Sequence, residues 1–444
     1  MESICPHQSK LNMLCHIRKT SSLIGRVIQA RDLLGFAPAT PTAKAKITMR
    51  SPEKMKLSIL GTRGIPAKHG GFETFAERLA LYLTERGWEV TVYCQLDGAG
   101  QTYEDTWRGI RRVNIPVKLN GAVGTIMFDW KSTLHAAGED SLKLTLGYNT
   151  AVFSLLYRLR GRTNLFNMDG IEWKRPKWSL PEKIWLMMNE VCGCYLGNHL
   201  IADHPGIKRH LETRVSSEKI SVLLYGSDAL KEASREMLDR FGVEPGKYAL
   251  LVARPEPENS ILETVRAFSA SASGMKLVVL GNYYPDGIPY HKAVLDAASD
   301  QVIFPGAVYE PEVINALRFY CGFYIHGHTV GGTNPSLVEA LGAKSPVLAH
   351  DNQFNRWVAG DGAIYFRDEA ECRDQIADLV GDQAKLKEMA TSSRLRHQEA
   401  FTWPAVLGAY ESLLRSWAYG PASKSSSVPS TVQWAKPLQE NEES

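Results

Sequence analysis

The residues with the clearest chemistry lie in HTVGGTNPSLVEALG, positions 328–342. Gly331, Gly332, Thr333 and Asn334 stand in front of Pro335 and Ser336, and a run with helical spacing that contains Glu339 follows directly. A glycine-rich turn that opens a helix aims free backbone N–H groups and the positive end of the helix dipole at one point. Such a point suits an anion, most often a phosphate. Pro335 fits the first helical turn, where its missing N–H costs nothing. Glu339 lies one turn inside, too far from the anion to repel it strongly and near enough to hold a neighbouring hydroxyl. Phosphate plus sugar hydroxyl on one helix end describes a nucleotide-sugar.

Three further segments carry polar groups to the ends of apolar runs. In GTRGIPAKHGGFETF (61–75), Gly61, Gly64, Gly70 and Gly71 are interleaved with Arg63, Lys68 and His69. Ten residues exceed an ordinary strand-to-helix turn, so the loop reads as one that closes on a ligand. It lacks the G-x-G-x-x-G of a dinucleotide site, and Gln95 stands where a ribose-binding acid would be. Glu73 opens the following helix and reads either as a ligand contact or as a dipole partner. In VARPEPENS (252–260), Arg254 follows a strand, and a guanidinium fork suits a diphosphate; the plainer reading pairs it with Glu256 or Glu258. In NMDGIEWKRPKW (167–178), Asp169 follows a strand and is placed to position a hydroxyl or act as a base. The alternative there is an Asp-Gly turn beside packed tryptophans. His326 and His328 invite a metal reading that no neighbouring ligand spacing supports, so none is assigned. Asn352, Asn355 and Arg356 either pin a loop or line a cleft.

These segments need a scaffold that brings strand ends together. From residue 55 the pattern alternates short apolar runs with helical ones: 56–61, 72–87, 88–95, then 109–117, 142–147, 163–170 and 199–206. A second set starts after YGSD (225–228), with runs at 248–254, 276–281, 301–306, 322–327 and 345–350. That alternation predicts α/β architecture, two Rossmann-like domains facing across a cleft, with ligands beyond the carboxyl ends of the strands. The expected division is 1–54 as a basic, disordered extension, 55–226 as the N-terminal domain and 227–402 as the C-terminal domain. Residues 403–418 form a terminal helix packing back on the N-terminal domain, and 419–444 a disordered tail.

Bulk properties limit the alternatives. The chain has 444 residues, 44% hydrophobic and 22% charged, with a net charge of +3. The nine Lys/Arg and three acids of residues 1–54 give about +6, which leaves about −3 for the rest. Nucleic-acid binding therefore has no general support. The extension reads as a basic membrane-contacting arm, a targeting segment, or an upstream start read through to Met49 or Met55, the last being preferred. Seven cysteines without a framework spacing suggest reduced thiols and a cytoplasmic home. No apolar run reaches the roughly 18–20 residues of a membrane span; 184–202 comes closest and is broken by polar residues.

ILGTRGIPAKHGGFETFAERL, NMDGIEWKRPKW, VARPEPENSILETVRAF and GGTNPSLVEALG together resemble the family 4 glycosyltransferases of the GT-B fold, in particular a bacterial polysaccharide, rhamnosyltransferase-like subgroup. The resemblance spans about 55–418. It implies a retaining transfer, possible for rhamnose among other hexoses, from a nucleoside-diphosphate sugar to a saccharide or lipid-linked acceptor in cell-surface polysaccharide synthesis. It implies no metal and no cofactor besides that donor. Carried over by residue, Arg254 holds the diphosphate, amides around Thr333, Asn334 and Ser336 support it, and Glu339 holds the ribose. Gly70 and Gly71 close on the donor or acceptor, and Asp169 is the candidate polar group at the reacting centre. Three departures matter. Gly331 stands where the wider family has Glu, Glu258 where it has Lys, and a family histidine is missing near Asp169. A nucleotide-sugar epimerase and a catalytically silent scaffold are the competing readings. A lipid-linked acceptor would require peripheral docking at the inner membrane face. Arg158, Arg160, Arg162 and the Trp173–Trp178 segment are candidate contacts for it, or else an ordinary solvated face.

Overall fold

The computed structural model describes residues 54–68, 70–271 and 274–418. The expectations for residues 1–53, for His69 and for 419–444 lie outside them. The rest is built on two sheets. The first takes β1 (Lys56–Leu60), β2 (Glu89–Asp97), β3 (Tyr103–Trp107), β4 (Ile110–Val117), β5 (Leu142–Leu146), β6 (Asn164–Asn167), β7 (His199–Ala202) and β8 (Ile220–Val222) in the order β3-β4-β2-β1-β5-β6-β7-β8. The second takes β9 (Tyr248–Val252), β10 (Lys276–Leu280), β11 (Val302–Gly306), β12 (Phe323–His326), β13 (Val347–His350) and β14 (Ile364–Phe366) in the order β11-β10-β9-β12-β13-β14. All pairings are parallel except β3 with β4.

Parallel strands are covered on both faces, which is why β9 (YALLV) and β12 (FYIH) read as nearly continuous apolar runs. Leu57, Ile59, Leu144, Ala249, Phe323 and Tyr324 are fully buried. The helix Gly71–Glu85 buries Phe75, Ala76, Leu79, Ala80 and Leu83, one face at helical spacing. β3 and the three-residue strands β8 and β14 were not expected from the sequence. β3 is an antiparallel edge whose residues YEDTW are mostly exposed, so burial does not mark them.

The last helix, Trp403–Ala418, turns back across the first sheet. Its Trp403, Val406, Leu407, Tyr410, Leu413 and Leu414 share one buried cluster with Phe75, Leu79 and Leu83. The Tyr410 ring packs against Phe75 with centroids 4.6 Å apart and planes tilted by 52°, and its hydroxyl accepts a 3.0 Å hydrogen bond from Asn167 Nδ2. The chain thus crosses between sheets twice. The crossings touch where Ser227 bridges Thr402 and donates its N–H to Phe401 O at 2.8 Å.

The five described cysteines are all buried and free. Among the described residues, no helix is long and apolar enough to cross a membrane.

Candidate functional site

The glycine turn 331–334 leaves the end of β12, and the helix Pro335–Gly342 begins at once. Its N-cap is Asn334, whose Oδ1 accepts the N–H of Ser336 at 3.0 Å. The loop after β9 is fastened beside it: Thr329 donates both its N–H and its hydroxyl to Glu258 O, each at 2.9 Å. Arg254 leaves this second loop exposed and makes no ion pair among the described residues. Its expected alternative partner, Glu258, is instead buried and bound by Arg175 Nη1 at 3.2 Å.

Arg175 belongs to the first sheet's domain, so this pair bridges the two halves. Its Nε also meets Glu172 Oε1 at 2.9 Å. Burial pushes Glu172 upward, with Asp169 adding to the rise. Burial lowers Lys177, and the neighbouring cations Arg254 and Arg175 lower it further. Three loops, 169–177, 254–260 and 328–334, therefore converge at the carboxyl ends of β6, β9 and β12.

Glycine decides how closely the halves meet. A Cβ on Gly332 would lie 2.2 Å from Asp203 Oδ1, one on Gly71 would lie 2.9 Å from Pro335 Cγ, and one on Gly170 would lie 3.7 Å from Gly331 Cα. Gly70 is different. It has φ of +98°, faces Glu73 and caps the helix Gly71–Glu85, while Glu73 Oε1 accepts the N–H of Arg63 at 3.0 Å. Gly70 and Gly71 thus meet the second domain through Gly71 alone.

Asp203 is the residue the sequence reading passed over. It follows β7, accepts the N–H of Thr333 at Oδ2 (3.1 Å), and its backbone oxygen accepts the Thr333 hydroxyl. Oδ1 is enclosed without a partner. The turn's amides are consequently not all free: Thr333 is given to Asp203 and Ser336 to Asn334, so an anion reaches Thr333 only by displacing a carboxylate. Asp169 sits close by in a left-handed conformation (φ +52°), with its N–H on Asn167 Oδ1 at 3.0 Å. Burial, with the nearby Asp169 charge, pushes Asp203 up to about 7.

That shift has a checkable sign. The folded state binds a proton that the unfolded state, with an ordinary carboxyl near about 3.9, has released. Stability therefore falls as pH rises from about 4 to about 7 through this group. Asp203→Asn should exceed wild type in urea-unfolding stability at pH 8, by on the order of 4 kcal/mol at most. The gap should close only below about pH 4; a gap independent of pH would refute the assignment.

Glu339 is paired with Arg318 Nη2 at 2.5 Å and keeps 31% of its side chain exposed. Arg318 is buried, and its Nε has no partner among the described residues. His326 is wholly buried and stacks on His328 with centroids 4.2 Å apart and planes 8° apart. Burial holds His326 well below the usual range and His328 at about 3. Asn352 and Asn355 both donate to His328 O, which pins this loop, while Arg356 pairs with Asp351. No group of three or more metal-ligating side chains is gathered among the described residues.

Solved structures share the fold. Sucrose-phosphate synthase from Thermosynechococcus elongatus superposes with a TM-score of 0.68 at 14% identity, over 82% of this chain and 99% of that one. HepE from Anabaena, in complex with UDP and glucose, gives 0.65 at 16% over 82% and 100%. A UDP-forming trehalose-phosphate synthase from Burkholderia xenovorans, in complex with glucose-6-phosphate, gives 0.62 at 12% over 81% and 100%. The chain has the GT-B fold. Within that GT-B frame, residues 54–228, essentially the first domain, match the family described as a domain of unknown function, DUF1972. No curated protein matches.

Proposed function

We propose that the protein is a retaining glycosyltransferase of the hexosyl type, which moves a sugar from a nucleoside diphosphate to a saccharide or lipid-linked hydroxyl. The rhamnose donor and the role in bacterial cell-surface polysaccharide synthesis, in the cytoplasm, belong to the same proposal. The observation that carries it is the convergence of Arg254, the 331–334 turn and the loop 169–177 at one cleft. Support comes from the fold: HepE structures hold UDP, UDP with glucose, and UDP-glucose.

Chemically, loss of the nucleoside diphosphate builds negative charge on the leaving phosphate while the sugar becomes oxocarbenium-like. The exposed Arg254 fork and the turn amides stabilise the first. Glu339 holds the ribose, with Arg318 fixing its carboxylate, and Gly70–Gly71 border the donor. Asp169 orients the acceptor hydroxyl. Attack on the face that the phosphate leaves lets a phosphate oxygen take the hydroxyl proton, and configuration is retained without a covalent enzyme adduct.

Calorimetric titration with UDP, dTDP and GDP tests the site. One nucleotide should bind, and Glu339→Ala should weaken it by about 1.5–3 kcal/mol, the cost of a lost hydrogen bond to a charged group. Binding of none of the three would refute the proposal.

A further inference from the structure

Sixteen large apolar side chains stand exposed among the described residues, and eleven of them lie between positions 119 and 195. The exposure is therefore concentrated on one part of the first domain. It is also periodic. Val123, Met127, Trp130 and Leu134 follow helical spacing along Gly121–Ala136, with Leu119 just ahead of its cap; Leu155 and Leu159 do so on the short helix Leu155–Leu159; Leu180, Ile184 and Met188 do so on Leu180–Leu196. The first helix buries Phe128 and Ala136 on its other side, so it is apolar on both faces. An outward stripe of this kind adds nothing to the core.

The three stripes are neighbours. Trp130 meets Phe153 edge-on at 5.2 Å, and Thr150 Oγ1 donates to Asp129 Oδ2 at 2.8 Å, joining the first helix to the 150–159 segment. On the other side, Val152 donates its N–H to Asn189 Oδ1 at 3.0 Å and Trp185 Nε1 donates to Asn149 O at 2.9 Å. One continuous surface results.

Its charges are sorted. Lys118, Lys131, Arg160 and Lys183 each adjoin a stripe residue in sequence, namely Leu119, Trp130, Leu159 and Ile184. Of the three acids on these helices, Asp129 is bound to Thr150 and Glu190 is buried among Trp173, His210 and Arg214, which leaves Glu182, tied to Ser179 at the helix cap, as the one exposed carboxylate against four cations. Apolar ridges edged by lysine and arginine, with Trp130 and Tyr195 as amphipathic rings, match the boundary of an anionic bilayer.

We propose that this face docks the protein peripherally on an anionic lipid leaflet. The surface takes in Arg160 from the arginine segment singled out in the sequence and adds three apolar stripes to it, and it stands whether or not the transferase reading does. If both stand, the leaflet lies beside the segment 169–178, which runs from the cleft directly into Leu180–Leu196, and an acceptor carried on a lipid would reach Asp169 from that side.

Flotation of the full chain with phosphatidylglycerol–phosphatidylethanolamine vesicles, and with pure phosphatidylcholine vesicles, tests it. Wild type should float with the anionic vesicles and much less with the neutral ones. Met127→Glu/Leu159→Glu should reduce the bound fraction at least about tenfold with unchanged circular dichroism and unchanged nucleotide titration. Three results would overturn the proposal. The first is failure of wild type to float; the second is flotation of the double variant as well as wild type, which would put binding elsewhere, such as the basic residues 1–54. The third is conversion of an oligomer to a monomer by the double variant in light scattering, which would make a second copy the occupant.

Discussion

Replacing Arg254 with alanine should lower kcat/KM for sugar transfer roughly a thousandfold, the upper range for removing one preorganised charge-stabilising donor. The residue is well suited to a clean measurement. It is exposed, has no ion pair among the described residues, and its backbone oxygen keeps the bond from Asn259 Nδ2 at 2.8 Å whatever the side chain. Stability should therefore change little, and the loss should appear in the chemical step and in nucleoside-diphosphate affinity together. Arg254→Lys should recover only part of the rate, because an ammonium supplies charge without the two-pronged geometry. Activity of Arg254→Ala within about threefold of wild type would remove it from the site.

Gly332→Ala should be the second severe change. A Cβ there would sit 2.2 Å and 2.6 Å from the two carboxylate oxygens of Asp203, closer than carbon and oxygen approach. Either Asp203 swings away from the Thr333 N–H or the turn shifts. Both misplace groups at the cleft, and a displacement of about 1 Å is worth roughly a hundredfold in rate. Asp203→Ala removes the obstacle, so the double variant Asp203→Ala/Gly332→Ala should be no slower than Asp203→Ala alone. Transfer rates of the three variants decide this; effects that simply multiply would show that the two positions do not act through one contact.

What could be read in the sequence follows from what is local. Parallel strands buried on both faces announce themselves as apolar runs, and the glycine turns between them are punctuation. The edge strand Tyr103–Trp107 does not, because its side chains are mostly in water. The same rule divides the site. The turn 331–334, Asn334 as cap and the bare Arg254 are properties of short segments. The partners are not: Glu258 stands four residues from Arg254, yet its cation is Arg175, 83 positions away. Asp203 follows a strand just as Asp169 does, and only its bond to Thr333, 130 residues on, sets it apart. One of the amides expected to lie open for phosphate, that of Thr333, is engaged for the same reason, since a carboxylate from the other domain reaches it.

The returning helix Trp403–Ala418 has a consequence for biosynthesis. Every strand of the first sheet has been made by Val222, yet the cluster beneath it includes Trp403, Tyr410 and Leu414. During translation, the part of the apolar face of Gly71–Glu85 that the last helix covers must wait exposed while the ribosome adds the second domain. The half of the molecule that is synthesised first is the last to finish its core.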